Sequence, residues 1–232
     1  MPWISPAAEP LTSPMRTESS LMYESQRQAV ARFMRRLYQQ RLTTTSGGNI
    51  SVRVSDTQVA LTASKHDKGE LQAEHVGIMS LDGTNETPNF TPSIEASMHL
   101  AIYRMHAHVN AVVHAHPTTA SAFCASDADI NCRLIAESYA ILGTPAKLPY
   151  ACMGTKELAQ IVAEGLGQAC CVLMANHGVL TVGSSLLEAF DRLEIVEEAA
   201  QLTLISRQIG GLQPLQTTQL REIDQLMGRP AD

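Results

Sequence analysis

Apolar residues recur at helical spacing from about Tyr23 to Arg41 (Ala29, Val30, Phe33, Met34 and Leu37), which predicts a first amphipathic helix. Beyond it the period shortens. Asn49 to Val54, Val59 to Ala63 and Val76 to Leu81 are short strand-like runs, the last closed by an Asp82-Gly83 turn, and together they predict an antiparallel sheet. Thr91-Pro92 supplies a cap and a first helical position for a helix running to about Met105. Asn110 to His116, stopped by Pro117, predicts a buried strand, and Cys170 to Ala175 predicts a second. Between them Thr118 to Ala125 and Thr155 to Leu166 read as helices, and Ile135 to Leu142 as extended. Ser185 with Glu188 forms a capping box that opens a long helix to about Gln208. That helix is apolar on more than one face (Leu186, Phe190, Leu193 and Val196, but also Ile195, Leu202 and Ile205), so it is expected to lie between the core and a partner subunit. The expected architecture is an α/β/α layered single domain over residues 23–232, with a mainly antiparallel central sheet. Residues 1–22, with Pro2, Pro6, Pro10 and Pro14 among Ser, Thr and Ala, read as a flexible tail.

A length of 232 residues with 44% hydrophobic content allows one large domain with a substantial core. The formal charge of -6, without a lysine or arginine block, argues against nucleic acid or an anionic membrane as partner. No apolar stretch reaches the roughly 18 residues of a membrane span, and no basic segment followed by an apolar core marks a secretory signal, so a cytoplasmic location is expected. Cys124, Cys132, Cys152, Cys170 and Cys171 include no CxxC pair and read as reduced thiols.

Candidate chemistry gathers where the apolar runs end. Residues two apart on a strand share a face, so His114 and His116 point the same way, as ligands of one divalent ion would. A pair of hydrogen-bonded core histidines is the competing reading. The Asn176-His177-Gly178 turn, at the end of the second apolar strand, offers a third imidazole and favours a metal; three histidines without thiolate pairs suit Zn²⁺. His106 and His108 share the same spacing but sit at a helix end and read as surface residues, and His66, His75 and His99 have no partner at useful spacing. Ser46-Gly47-Gly48-Asn49 can bring backbone amides and side-chain donors to an anion, or can be an ordinary glycine turn. Ser64 and Lys65 in a second polar loop, and Ser93 at the expected helix N-terminus, would complete a phosphate site. Glu95 reads either as a catalytic or metal-binding carboxylate or as a helix-dipole partner. Glu137, placed among apolar neighbours, reads either as a second acid/base or as an interface residue.

Ser46-Gly-Gly-Asn-Ile-Ser51, Pro92-Ser-Ile-Glu95 with His99, His114-Ala-His-Pro117, Pro149-Tyr-Ala151 followed by Gly154-Thr-Lys-Glu-Leu158, and Ala175-Asn-His-Gly178 stand in order along the chain. In these motifs, from about residue 23 to about residue 210, the chain resembles the class II aldolase/adducin family, most of all its L-fuculose-phosphate aldolase type. The resemblance implies Zn²⁺ held by His114, His116 and His177, with Glu95 as a fourth ligand or as the acid/base. It also implies a substrate phosphate received by Ser46, Gly47, Asn49, Ser64 and Ser93, and a homotetramer with active sites between subunits. The implied reaction cleaves a ketose 1-phosphate to dihydroxyacetone phosphate and an aldehyde through an enediolate that the metal stabilises. Ile94 and Ser64-Lys65 depart from the aldolase pattern, and no tyrosine follows Tyr150, leaving Glu137 to take that tyrosine's place. The loop Ser64-Lys-His-Asp-Lys-Gly69 is similar to that of methylthioribulose-1-phosphate dehydratases. Relatives on the same scaffold also include ribulose-phosphate 4-epimerases, 3-oxo-tetronate 4-phosphate decarboxylases and, without the metal histidines, the non-catalytic adducin head.

Overall fold

In the computed structural model, which describes residues 23–229, a seven-stranded sheet lies between two layers of helices. The strands are β1 (Asn49–Arg53), β2 (Gln58–Thr62), β3 (Val76–Ser80), β4 (Ala111–Ala115), β5 (Ala146–Leu148), β6 (Cys171–Met174) and β7 (Gly178–Gly183). Their spatial order is β3-β2-β1-β4-β7-β6-β5. Every pairing is antiparallel except β5 with β6, so the sheet is mixed but mainly antiparallel.

The helices are α1 (Glu24–Gln39), α2 (Ala96–Met105), α3 (Thr118–Cys124), α4 (Ala136–Leu142), α5 (Lys156–Leu166), α6 (Leu186–Ile209) and α7 (Thr217–Leu226). The two-residue period of the strands divides the core. Val113, Ala115, Leu173 and Val179 pack with α1, α3 and α6 on one face. Val112, Val172, Leu180 and Val182 pack with α2 and α5 on the other. His114 has the parity of Val112, and Asn49 lies opposite it in the register, so both side chains face the α2 layer. Glu197 of α6 is buried and its carboxylate accepts from Thr119 N and Ala120 N, at 3.0 and 2.8 Å, capping the helix that follows His116-Pro117.

Two expectations are corrected. Ile135 to Leu142 is not extended: Ser138 and Leu142, four apart, are buried on one face of α4, which Gly143 ends at φ 60°. The helix expected from Thr91-Pro92 begins only at Ala96 with Glu95 as its cap, because Thr91 O accepts from Ser64 N and Pro92 bridges Ala63 in extended pairing. Strands β5 and β7 and helix α7 are not among the expected elements. Of the expected capping box, Ser185 does accept from Glu188 N, but the Glu188 carboxylate accepts from Ser184 N rather than Ser185 N; Thr155 caps its helix by accepting from Leu158 N. The expected tail, residues 1–22, lies outside the described residues, among which no helix is long and apolar enough to cross a membrane.

The inner face of α6 is anchored by Phe190, fully buried edge-on to Phe33 at 5.0 Å, with the Arg36 guanidinium 4.3 Å from its centroid. Phe190→Ala is expected to cost about 3–5 kcal/mol of stability, read as a lowered urea midpoint.

Candidate metal centre and anion cleft

Strand β4 and the β6–β7 hairpin deliver the three histidines. His114 and His116 leave β4 on its α2 face. His177 sits in the three-residue loop between Met174 and Gly178, a turn made possible by Asn176 in the left-handed region at φ 53°. The imidazole ligand atoms of His114, His116 and His177 lie within 4.8 Å of one another. Gly178 permits this approach: a Cβ there would stand 2.6 Å from His116 Cδ2 and 2.8 Å from Ala115 O.

Glu95 closes the group. Its Oε1 is 2.8 Å from His177 Nε2 and its Oε2 is 3.3 Å from His114 Nε2. These contacts lack hydrogen-bond geometry, and Glu95 Oε1 and His114 Nε2 remain buried polar atoms without a hydrogen-bond partner. Buried polar atoms normally find partners, so this donor set, three imidazole nitrogens and a carboxylate, fits a divalent cation. The imidazole of His114 is oriented for that role: its Nδ1 donates to Val179 O at 2.9 Å, which leaves Nε2 facing the cluster.

Burial opposes the Glu95 anion, but the charge of His114 and contacts with His114, His177 and Asn49 outweigh it and hold the carboxyl far below its ordinary range. Burial pulls the His114 pKa down, yet Glu95 raises it on balance. His116, pushed down to about 3 by burial and then by the charges of His114 and His177, is neutral at physiological pH, the form a ligand needs.

The cluster opens into a cleft of about 480 Å³, lined among others by Ser46, Gly47, Ser64, Lys65, Lys68 and Ser93. All the residues expected for a phosphate therefore border the same space as His116 and His177, but two of them differ from expectation. Asn49 Nδ2 donates to Ser93 Oγ at 3.0 Å and to Glu95 Oε2 at 2.7 Å, so both amide hydrogens orient the carboxylate side of the site rather than an anion. Lys65 is exposed and held at φ 58°. The buried cation of the cleft is Lys68, whose Nζ donates to Ala63 O at 2.8 Å and whose backbone N–H joins its loop to Thr45 O. In sequence it is one polar residue in a polar loop, with nothing to distinguish it from Lys65. His99, without a partner by spacing, is fully buried and bonded to Asn49 and Ser51. Glu137 is exposed in the first turn of α4 and is not among the residues lining the cleft, so the expected apolar surroundings are absent.

The chain belongs to the class II aldolase and adducin family: the family model, Class II Aldolase and Adducin N-terminal domain, matches residues 28–204. It is an enzyme of that family. A 3-oxo-tetronate 4-phosphate decarboxylase of Haemophilus influenzae is 31% identical over 77% of this chain and 86% of its own length. A 5-deoxy-D-ribulose 1-phosphate aldolase of Bacillus thuringiensis is 31% identical over 82% of this chain and 89% of its own. Among solved structures, an L-fuculose 1-phosphate aldolase superposes with a TM-score of 0.81 at 27% identity, covering 90% of this chain and 99% of that one.

Gly178→Ala should lower Co²⁺ affinity by about tenfold or more, the scale of losses when ligand orientation is disturbed, with the far-UV circular dichroism unchanged; undiminished binding would remove the close-approach argument. Burial brings the Lys68 pKa down to about 8, so the ammonium is present below that pH and lost above it. Sulfate, whose charge is constant in this range, should raise the melting temperature at pH 7 and progressively less as pH passes about 8, and the effect should be small and flat in Lys68→Met.

Proposed function

We propose that the protein is a zinc-dependent sugar-phosphate aldolase that cleaves a ketose 1-phosphate, of the fuculose or deoxy- or methylthio-ribulose type, to dihydroxyacetone phosphate and an aldehyde. The observation that carries this reading is the convergence of His114, His116, His177 and buried Glu95 at one end of a cleft whose other end holds hydroxyls, loop amides and the Lys68 ammonium. The relatives named as aldolases support it. A divalent ion, when bound to such a donor set, polarises a ketone oxygen and offsets the charge that develops there.

Ser46, Gly47, Ser64, Lys68 and Ser93 bind the phosphate in this reading and fix the reacting carbons against the histidines, with Lys65 at the exposed mouth. Cleavage of C3–C4 takes the C4 hydroxyl proton, turns C4 into the aldehyde carbonyl, and passes the bonding electron pair to C3 beside the ketone. Glu95, a carboxylate in the free protein, accepts the hydroxyl proton and returns it to C3, so no proton is gained or lost overall. Assembly as a homotetramer, with sites between subunits, belongs to the same reading. The exposed apolar residues Leu187, Leu204, Ile205 and Ile209 on α6, Ile94 and Met153 at the cleft, and Tyr150, are of the kind an interface covers. Glu137 then has a role only at such an interface, not in the cleft of its own subunit. Five free cysteines accord with a reducing cytoplasm.

A second reading, decarboxylation of a 3-oxo-tetronate 4-phosphate, is favoured by the Haemophilus influenzae relative. Dihydroxyacetone phosphate release from fuculose, rhamnulose, 5-deoxyribulose and methylthioribulose 1-phosphates, abolished by chelator and by His114→Ala and slowed by Glu95→Gln, is the expected result. Release of CO₂ from a 3-oxo-tetronate 4-phosphate, without aldol cleavage, would select the second reading. Consumption of a ketose phosphate without dihydroxyacetone phosphate would instead mark a dehydratase or epimerase.

A further inference from the structure

Helix α2 lays Glu95, His99 and Tyr103, four apart and hence on one face, over Asn49 and Ser51, two apart on one face of β1. The resulting contacts form one unbroken chain. Tyr103 OH lies 2.9 Å from Ser51 Oγ, and Ser51 Oγ 2.6 Å from His99 Nδ1. His99 Nε2 is 2.5 Å from Asn49 Oδ1, and Asn49 Nδ2 is 2.7 Å from Glu95 Oε2. Ser51 and His99 are fully inaccessible, and Tyr103 and Asn49 nearly so, which excludes water as an alternative partner.

The hydrogen positions follow from donor counting. Glu95 is a carboxylate and accepts only, so Asn49 must turn its NH₂ toward it and its Oδ1 toward His99. His99 must then carry its proton on Nε2, which leaves Nδ1 to accept the single hydroxyl hydrogen of Ser51, and Ser51 in turn accepts from Tyr103. The opposite polarity would set the Asn49 carbonyl against the Glu95 carboxylate in a site without solvent. Each member therefore has one orientation consistent with all the others.

We propose that His99 is a positioning residue: through the Asn49 amide it sets the orientation in which Glu95 faces His114 and His177. The inference rests on the reading of these residues as a metal centre. It explains why a histidine with no ligand spacing lies wholly buried 50 residues from its asparagine partner, and why Asn49 is turned away from the anion side of the cleft.

The test uses the full-length protein titrated with Co²⁺ against a competing chelator, followed by visible absorbance. His99→Asn keeps an amide near the Nδ1 position, able to meet Ser51, but does not reach Asn49. His99→Gln carries its amide nitrogen near the Nε2 position and restores the donor. His99→Asn is expected to weaken Co²⁺ binding about 10–100-fold and to change the absorption spectrum, while His99→Gln stays close to wild type. Ser51→Ala, which frees the His99 tautomer, should shift affinity in the same direction and serves if His99→Asn does not fold. Folded His99→Asn protein with wild-type affinity and spectrum, or equal losses in His99→Asn and His99→Gln, would overturn the proposal. Wild-type protein that binds no Co²⁺ would instead overturn the metal-centre reading beneath it, so the two failures are distinguishable.

Discussion

A carboxylate held anionic in the interior is the constraint around which the site is arranged. Taking Glu95 out of water is unfavourable by itself, and what offsets that cost is imidazole nitrogen on one side and an amide NH₂ on the other. Those partners come from β1, β4 and the β6–β7 turn, and the carboxylate itself from the cap of α2, so correct pairing of elements far apart in sequence is a condition for the anion to be tolerated. The register of β1 against β4, with Asn49 opposite His114, places two of those partners side by side. A slip of one residue would turn both side chains to the other face of the sheet.

Division of labour within the cleft follows from charge. The Glu95 carboxylate and the imidazoles occupy the closed end, where His116 cannot hold a proton at neutral pH. Hydroxyls, loop amides and one buried ammonium occupy the other end, with Lys68 linking its loop to the glycine-bearing segment through Thr45. A ligand's negative group meets positive potential at the second end, and its electron-rich oxygens would meet a cation held at the first. Remote binding at the anion end can thus serve chemistry at the metal end.

Much of this was legible in the chain because it rests on local pattern. His114 and His116 share a strand face, Asn176-His177-Gly178 has the composition of a turn, and Ser185 caps a helix by the side-chain chemistry that makes it recognisable. Reading failed where tertiary contacts overrode local preference. Thr91-Pro92 has the composition of a helix start, yet its carbonyl and extended pairing belong to the neighbouring 63–64 loop. Ile135 to Leu142 is too short for its period to separate strand from helix. Lys68 and Lys65 are alike in sequence, and only the fold makes one buried and the other exposed. His99 pairs with Asn49 and Ser51 across about fifty residues, a separation at which spacing carries no information.

Glu197 couples two parts of the molecule that would otherwise be separate concerns. Its carboxylate on α6 grips Thr119 and Ala120, immediately beyond His116-Pro117, while the same helix, two turns and more further on, carries Leu204, Ile205 and Ile209 into solvent. A helix of 24 residues moves largely as a rod. Pressure applied to its exposed end is therefore transmitted to the chain that carries His116, and in the proposed assembly subunit packing and ion affinity would be mechanically linked through one lever.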